Sequence, residues 1–282
     1  MMSFFRLENR WEITATLRMT TALSVGSRAS LMPAGSDLPV IKTPEGVPFI
    51  PGSSLKGVVR AYTERLLRTM DGLRCQINGQ RLWACDPLDE QKRCVTGERK
   101  KQLVKRLVEQ AQDDEALDDE ALTRNLWEES CTACRLFGSP WIASRVSFQD
   151  ARLVNREDLL RLVEVRDGVG IDRDLGAART GIKYDFETVP AGARFGIRII
   201  VENAEEWEVG LLLTALQAMR EGLLPIGGKT TRGPGWGTLE EIEVQRLTKE
   251  KLLDYLAGQP METVSAADLL KAFRPSVPQG GE

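Results

Sequence analysis

Histidine is absent from the 282-residue sequence, and long apolar segments are absent as well. Without histidine, the chain can form neither a Ser-His-Asp triad nor a metal site with imidazole ligands. No run reaches the roughly 18 consecutive apolar residues of a membrane-spanning helix, so we expect no membrane association. The first ten residues lack the apolar core of a secretory signal. We therefore expect a cytoplasmic protein whose chemistry uses carboxylates, Lys, Tyr, Cys or a bound metal.

Charge is unevenly distributed along the chain. The formal net charge of −3 argues by itself against nucleic-acid binding. However, the segment 109–129 holds nine acids and one base, and the segment 239–282 is also acidic, so the rest of the chain is basic. Local charge, not the total, decides whether phosphates are attracted. We interpret the acidic stretch 109–129 itself as a solvated helical face.

Alternating apolar residues predict the strands of a sheet. From Trp11 to Thr20, apolar and polar residues alternate with period two, as in a half-buried strand. Similar patterns predict further strands, at 146–153, 195–201 and 239–244. Apolar stripes predict helices, at 55–68 with Ser53 or Ser54 as its cap, at 207–221 and at 252–273. Between the first strand and the first helix, the Gly-, Ser- and Pro-rich segment 23–51 predicts a long loop.

Two segments interrupt this pattern. Residues 71–139 are an apparent insertion that contains all five cysteines and a Lys/Arg-rich helix near 98–110. Residues 167–184 are rich in Gly, Asp and Arg and predict a protruding loop or ribbon. Without these segments, the order strand, helix, two or three strands, helix, strand is that of a ferredoxin-like or RNA-recognition-motif sheet.

We therefore expect a single α+β domain over residues 1–282. Its βαββαβ core would comprise about 1–70 and 140–245. The C-terminal tail, 246–282, would be helical and would end in a Pro- and Gly-rich segment.

A Gly-rich loop, 226–237, contains Gly228, Lys229 and Thr230, the last three positions of a phosphate-binding P-loop. A P-loop also requires a glycine at position 223, which is Leu223, and it precedes a helix, whereas this loop precedes a strand. A nucleotide hydrolase is therefore excluded. The loop can still present backbone N–H groups and cations to phosphates, or it can be a plain tight turn.

The cysteines suggest a metal site. Cys131 and Cys134 can offer two thiolates to one Zn²⁺, and Cys85 and Cys94 can complete a tetrahedron. Cys75 would be the spare. Disulfides are disfavoured in a reducing cytosol, and the alternative to zinc is a set of buried, inert thiols. A tetrahedral site would be structural, because it would pin the long insertion.

Two further segments have an ordinary and a functional interpretation. At 51–57 the chain enters a helix, where free N–H groups and Lys56 can bind an anion, although a simple serine cap explains the same residues. Asp37 lies among Gly and Ser in the long loop, where an acid is usually a turn residue.

Taken together, these segments resemble the RAMP superfamily, and more narrowly the backbone subunits of type III CRISPR effector complexes. The resemblance extends from about the first strand to Val244 and does not include the acidic stretch or the tail. Five stretches carry it in order, namely GSDLPVI (35–41), PFIPGSSLKG (48–57), CTACRLFGS (131–139), VPAGARF (189–195) and the Gly-rich loop at 227–237.

The resemblance implies a core that polymerises along a guide RNA (crRNA) beside neighbouring effector subunits, possibly copies of itself. It implies that 167–184 is a thumb that splays bases at regular intervals. With Arg60 on the same helix as Lys56, the RNA-binding candidates are Ser53, Ser54, Lys56, Arg60, Gly227, Gly228, Lys229, Thr230 and Arg232. Because guide sequences vary, such binding must use phosphates and ribose, which fits an aromatic content of only 6%.

In members that cut target RNA, an acid in the loop after the first strand acts beside each splayed nucleotide, and Asp37 falls at that position. We expect the ribose 2′-OH to attack the neighbouring phosphate in line, with Asp37 binding Mg²⁺ or another divalent cation or orienting the nucleophile. The alternatives are a non-catalytic structural crRNA-binding subunit and a zinc-stabilised interaction module without RNA.

Overall fold

A computed structural model of the chain describes residues 6–26, 36–110 and 119–278. Gly35 of the first motif, residues 111–118 of the acidic stretch and the last four residues of the tail lie outside the described residues. The strands are β1 (Asn9–Met19), β2 (Phe49–Ile50), β3 (Gln76–Ile77), β4 (Gln80–Arg81), β5 (Val146–Phe148), β6 (Ala151–Leu153), β7 (Glu164–Ile171), β8 (Ala178–Thr188), β9 (Arg194–Glu202), β10 (Gly237–Thr248) and β11 (Glu262–Val264). The helices are α1 (Gly52–Gly72), α2 (Gly97–Gln110), α3 (Asp119–Glu129), α4 (Thr132–Phe137), α5 (Glu206–Arg220), α6 (Leu252–Leu256) and α7 (Ala266–Ala272).

The main sheet has the strand order β11-β10-β1-β9-β6-β2, and β5 also pairs with β9. Every pairing within it is antiparallel. β1 is therefore central, with Trp11 opposite Val201 of β9 and Arg246 of β10. The α+β architecture expected from the sequence is confirmed.

The core lies on one face of this sheet. In β1, burial alternates, so that Trp11, Ile13 and Leu17 are buried while the residues between them are partly exposed. The apolar helix α5 packs against this face, and α1 packs beside it. Burying a single large apolar side chain stabilises a fold by about 1.5–3 kcal/mol, so the period-two pattern fixes which face is covered.

The predicted serine cap of α1 is wrong. The residue at the N-cap position is Pro51, which has no side-chain hydrogen bond to the helix, and Ser53 and Ser54 lie in the first turn. Instead the Gly52 N–H donates to Asp150 Oδ1 at 2.8 Å. A Cβ at Gly52 would lie 2.2 Å from the Phe148 carbonyl oxygen, so only glycine lets the helix start so close to the sheet.

The C-terminal tail is not a continuous helix, which corrects the prediction for 252–273. α6 ends at Leu256, and the chain turns at Gly258, whose φ is +93°. Pro260 follows, and β11 then pairs with the outer edge of β10. The Gly and Pro separate two short helices, and the free edge of β10 supplies the hydrogen bonds that make the segment between them a strand.

The insertion has small cores of its own. Its elements are the β3–β4 hairpin, the predicted basic helix α2, the largely exposed α3, and α4. Val95, Leu103, Leu126 and Ile142 form one apolar cluster. A second apolar cluster joins the insertion to Trp207 and Leu211 of α5. Its buried cysteines are Cys75, Cys85, Cys131 and Cys134.

β7 and β8 form a separate two-stranded antiparallel ribbon, which we call the ribbon (residues 164–188). It is longer at both ends than the predicted 167–184. Gly168 and Gly170 face Tyr184 and Ile182 across the strands, and a Cβ at Gly168 would lie 2.3 Å from the Tyr184 ring. The sequence composition of this segment, with glycines opposite large side chains, therefore fits a narrow ribbon.

One consequence of the packing is testable at Gly210 of α5. A Cβ there would lie 2.3 Å from the Leu269 carbonyl oxygen and 2.9 Å from Phe273 Cβ. We expect Gly210→Ala to lower the free energy of unfolding by about 1–3 kcal/mol, because α7 must move away. Urea unfolding of the purified chain measures it. The matched control is Gly57→Ala in α1, where a Cβ meets nothing within 4 Å and should stabilise by about 0.5–1 kcal/mol.

Candidate functional site

The loop that carries Asp37 lies along the edge of β8 that does not pair with β7. We call residues 36–42 the Asp37 loop. Leu38 forms a parallel bridge with Phe186, and its carbonyl oxygen accepts the Glu187 N–H at 3.0 Å. The Asp37 N–H donates to Asp185 Oδ1 at 2.7 Å, and the Asp185 N–H donates to Asp37 Oδ2 at 3.1 Å. The side chain of Asp37 is exposed but held in place.

Glu187 holds the rest of the Asp37 loop. Its Oε2 accepts the Val40 N–H at 3.0 Å and lies 2.7 Å from the Lys42 ammonium nitrogen. Two alternate acids of one strand, Asp185 and Glu187, thus supply acceptors to successive parts of the loop.

The Gly-rich loop contacts the same stretch of β8. The Lys229 ammonium lies 4.4 Å from the centroid of the Phe186 ring, and an Arg232 Nη donates to the Tyr184 hydroxyl at 3.1 Å. Since neighbouring side chains of a strand point to opposite faces, Tyr184 and Phe186 present the face opposite to Asp185 and Glu187. The two loops therefore meet at residues 184–187 of β8.

Close backbone contacts require glycine at some positions of this loop, including Gly227 and Gly235. Gly227 has φ +85°, and a Cβ there would lie 2.5 Å from the Ser24 carbonyl oxygen. The Gly228 N–H donates to that same oxygen at 2.7 Å. This tight turn therefore also positions the cations, because it sets Lys229 and Arg232 beside the ribbon, and Arg232 is exposed.

Lys56 and Arg60, two of the predicted RNA-binding residues, lie at a different place. Lys56 Nζ donates to Ser144 Oγ at 2.7 Å and to the Val146 carbonyl oxygen at 3.1 Å. Burial lowers the pKa of the Lys56 ammonium, and nearby Arg60 lowers it further. The ammonium of Lys56 is engaged within the protein.

Arg60 faces the cysteines. Its Nε donates to Glu64 at 2.7 Å, one Nη donates to the Gly138 carbonyl oxygen at 3.0 Å, and the other lies 3.7 Å from Cys134 Sγ. Lys56 and Arg60 line a cavity of about 410 Å³ together with Cys85, Cys94 and Cys134. The residues predicted to bind RNA thus divide between the ribbon and this cavity, with Ser53 and Ser54 in the first turn of α1.

The four predicted metal ligands come together. We call Cys85, Cys94, Cys131 and Cys134 the cysteine cluster, and their Sγ atoms all lie within 4.8 Å of one another. Cys85 Sγ and Cys134 Sγ are 3.7 Å apart, and sulfurs bound about 2.3 Å from a tetrahedral ion are about 3.8 Å apart. Cys75 is buried outside the cluster. The donor set and its spacing fit a thiolate-bound metal such as zinc.

The thiols of the cluster perturb one another. Hydrogen bonds from Cys131 and then Cys134 lower the pKa of Cys85 to about 6. The same two neighbours hold the pKa of Cys94 far below its usual range, whereas the hydrogen bond with Cys131 raises the pKa of Cys134. A thiolate forms readily here, and a bound cation would allow several to coexist.

The sheet face opposite the core is polar, and three of its arginines are paired with acids. Three ion pairs of 2.6 Å cross it, namely Arg10–Glu202, Arg18–Glu240 and Arg198–Glu12. These guanidinium groups are already neutralised by carboxylates. The described cations outside the ribbon that contact it include Lys229 and Arg232 of the Gly-rich loop and Lys42 of the Asp37 loop, which pairs with Glu187.

Sequence reasoning missed the partners on β8. Asp185 and Glu187 lie just beyond the predicted ribbon limit of 184, and Tyr184 and Phe186 alternate with them. Such alternation is a strand signal, but only the fold shows that the Asp37 loop lies beside it.

None of the described helices is long and apolar enough to cross a membrane.

Comparison with known proteins identifies the family. The model of the RAMP superfamily matches residues 16–240, so the chain belongs to the RAMP superfamily, and the resemblance seen in the sequence is confirmed. The chain is similar to the CRISPR system Cms endoribonuclease Csm3 of Methanothermobacter thermautotrophicus, with 24% identity over 92% of this chain and 93% of the relative. It is also similar to the protein of the same name from Mycobacterium tuberculosis, with 25% identity over 90% of this chain and 94% of the relative.

Proposed function

We propose that the chain is a crRNA-binding backbone subunit of a type III CRISPR effector complex and that it cleaves target RNA paired with the guide. The names of the two relatives, endoribonucleases of a CRISPR system, support this proposal. The observation that carries it is the meeting of Asp37 and the Gly-rich loop at residues 184–187 of β8. An acid and phosphate-binding cations are thereby brought to one strand.

The fold supports the same proposal. The core strands run β10-β1-β9-β6, with α1 and α5 on one face, which is compatible with a ferredoxin-like, RNA-recognition-motif-like core. In this proposal the ribbon is the thumb. Its exposed apolar side chains, such as Val165, Ile171 and Leu175, are of the type that can wedge between bases and unstack them.

The grip on the guide would be independent of sequence. Backbone N–H groups and the cations Lys229 and Arg232 bind phosphates, which carry no base information. In the first turn of α1 the Gly52 and Ser54 N–H groups already donate to Asp150 and to the Pro51 carbonyl oxygen, so this turn would contribute mainly the hydroxyl groups of Ser53 and Ser54. The cations Lys56 and Arg60 would support α1 and the cysteine cluster, because their nitrogen atoms are engaged within the protein.

Asp37 would act in target cleavage. The ribose 2′-OH attacks the adjacent phosphorus and loses its proton to solvent, the P–O5′ bond breaks, and the 5′-oxygen takes up a proton from water, which gives a 2′,3′-cyclic phosphate and a 5′-hydroxyl. A strand splayed by the ribbon supplies the in-line geometry. The carboxylate oxygens of Asp37 are hard ligands that suit Mg²⁺ or a similar divalent cation, which would stabilise charge on the phosphate oxygens. The hydrogen bond from the Asp185 N–H to Asp37 Oδ2 holds this carboxylate at the edge of the ribbon.

The alternative is a non-catalytic structural crRNA-binding subunit of the same kind of complex. The hydrogen bonds of Asp37 to Asp185 favour it in one respect, because they give the carboxylate a purely structural task in fixing the loop. In either case the partners would be crRNA, target RNA and neighbouring effector subunits, possibly copies of this chain, in the cytoplasm.

The first prediction separates these two functions. In assembled complexes with matched target RNA, we expect Asp37→Ala to abolish cleavage and to retain guide RNA, because the phosphate-binding groups are untouched. Product formation on a denaturing gel and the copurifying RNA measure the two effects. Glu45→Ala, which removes an exposed acid from the same long loop, should cut normally. Equal cutting by Asp37→Ala and the wild type would support the structural subunit.

The second prediction concerns the Gly-rich loop. The double change Lys229→Ala and Arg232→Ala should weaken binding of single-stranded RNA of any sequence. It should reduce the slope of log affinity against log salt by about 0.7 for each lost phosphate contact. Fluorescence anisotropy over a salt series measures this slope. Arg198→Ala, which removes a cation already paired with Glu12, should leave the slope unchanged. An unaltered slope in the double variant would remove the loop from the RNA interface.

The third prediction concerns the cysteine cluster, which we propose binds one structural Zn²⁺. Protein purified without added metal should contain about one zinc per chain by elemental analysis. Cys94→Ser should lose the ion and destabilise the insertion, because three thiolates bind zinc less tightly than four. Cys75→Ser, which removes a buried thiol outside the cluster, should keep the ion. Zinc-free wild-type protein would contradict the site.

A further inference from the structure

We propose that Asp185 is a positioning residue that presents Asp37 to the target strand. The inference rests on the proposed role of Asp37 and adds a second acid, from a different element, to the cleavage site. Asp185 lies on β8, 148 positions along the chain from Asp37, so the fold alone brings them together.

The contacts between the two residues are reciprocal. Asp185 Oδ1 accepts the Asp37 N–H at 2.7 Å and the Ser36 hydroxyl at 3.0 Å. In the opposite direction, the Asp185 N–H donates to Asp37 Oδ2 at 3.1 Å. The first two bonds fix the backbone of the Asp37 loop, and the third fixes the direction of the Asp37 carboxylate. One oxygen of Asp37 is thereby committed to β8, which leaves the other to face the RNA.

The loop needs such an anchor. Asp37 follows a segment rich in Gly, Ser and Pro, where the chain itself does little to fix a side chain. Ser36 is buried, and its hydroxyl reaches Asp185 from the interior side of the loop. Because a misplacement of about 1 Å can lower a rate by about 100-fold, a flexible Asp37 would be a poor catalyst.

The neighbouring acid Asp167 distinguishes positioning from charge. It lies directly opposite Asp185 in the ribbon, and its carboxylate is 3.1 Å from the Lys183 ammonium. Asp167→Ala therefore removes the same charge from the same part of the ribbon without touching the contacts of Asp185 with the Asp37 loop.

The test compares Asp185→Ala, Asp185→Asn and Asp167→Ala in assembled complexes with saturating matched target RNA. Asp185→Ala should slow single-turnover cleavage by about 10- to 100-fold with guide RNA retained. Asp185→Asn should cleave within a few-fold of the wild type (about 3-fold), because its amide oxygen accepts the same two hydrogen bonds. Asp167→Ala should cleave normally.

Two further readouts separate positioning from other roles. Hydrogen exchange at the Asp37 amide should accelerate in Asp185→Ala but not in Asp185→Asn, because only the first loses the acceptor. The divalent-cation concentration at half-maximal rate should be the same in Asp185→Asn and the wild type. If Asp185→Ala does not assemble, Ser36→Ala replaces it in the test, because it removes one hydrogen-bond donor to Asp185 Oδ1. Ser36→Ala should slow cleavage, and Asp185→Asn then serves as the active control.

Three results would overturn the inference. Wild-type cleavage by Asp185→Ala would show that Asp37 needs no anchor. Equal loss in Asp185→Asn and Asp185→Ala, with a higher cation requirement, would make Asp185 a direct ligand. Unchanged exchange at the Asp37 amide would show that the hydrogen bond is absent. If instead Asp37→Ala itself cleaves normally, the proposed function fails, and the exchange measurement still reports the contact between the two residues.

Discussion

The free edge of β8 is the constraint on which the candidate site depends. Backbone and carboxylate groups of Asp185 and Glu187 bind the Asp37 loop, while Tyr184 and Phe186 receive the cations of the Gly-rich loop. Without this strand, the two loops would be separate surface turns. With it, an exposed acid and the Gly-rich loop lie beside one ribbon, and their mutual arrangement follows from strand geometry.

The polar face of the main sheet explains why these loops matter. Three arginines across it are paired with acids of neighbouring strands, and exposed pairs of this kind contribute about 0–1 kcal/mol each to stability. Each pair is nearly neutral. In the proposed RNA complex, a guanidinium group paired in this way attracts phosphates weakly, whereas the exposed Arg232 of the Gly-rich loop, which contacts the Tyr184 hydroxyl, is better placed to bind one.

The sequence predicted those features that depend on local spacing. The alternation around Trp11 and Phe195 located two central strands, and the pair Cys131 and Cys134 indicated a site whose four sulfurs do converge. What it could not predict were contacts between distant segments. Lys56 has a favourable place at a helix start, but its partners Ser144 and Val146 lie about ninety positions away. The tail was predicted as helix because its composition suits one, and the open edge of β10 overrides that preference for three residues.

The position of β1 in the sheet has a consequence for synthesis of the chain. Both neighbours of β1, the strands β9 and β10, belong to the C-terminal half, with Trp11 opposite Val201 and Arg246. A ribosome therefore releases about two hundred residues before the first strand can be paired. During that interval the apolar side chains of Trp11, Ile13 and Leu17, which share one face of β1, are uncovered. Long-range strand pairing of this kind is slow, and the unpaired chain is prone to aggregate. α1 is complete by then, and its buried side chains Leu55 and Val59 belong to the same core, so this helix can cover part of that face before β9 and β10 are made.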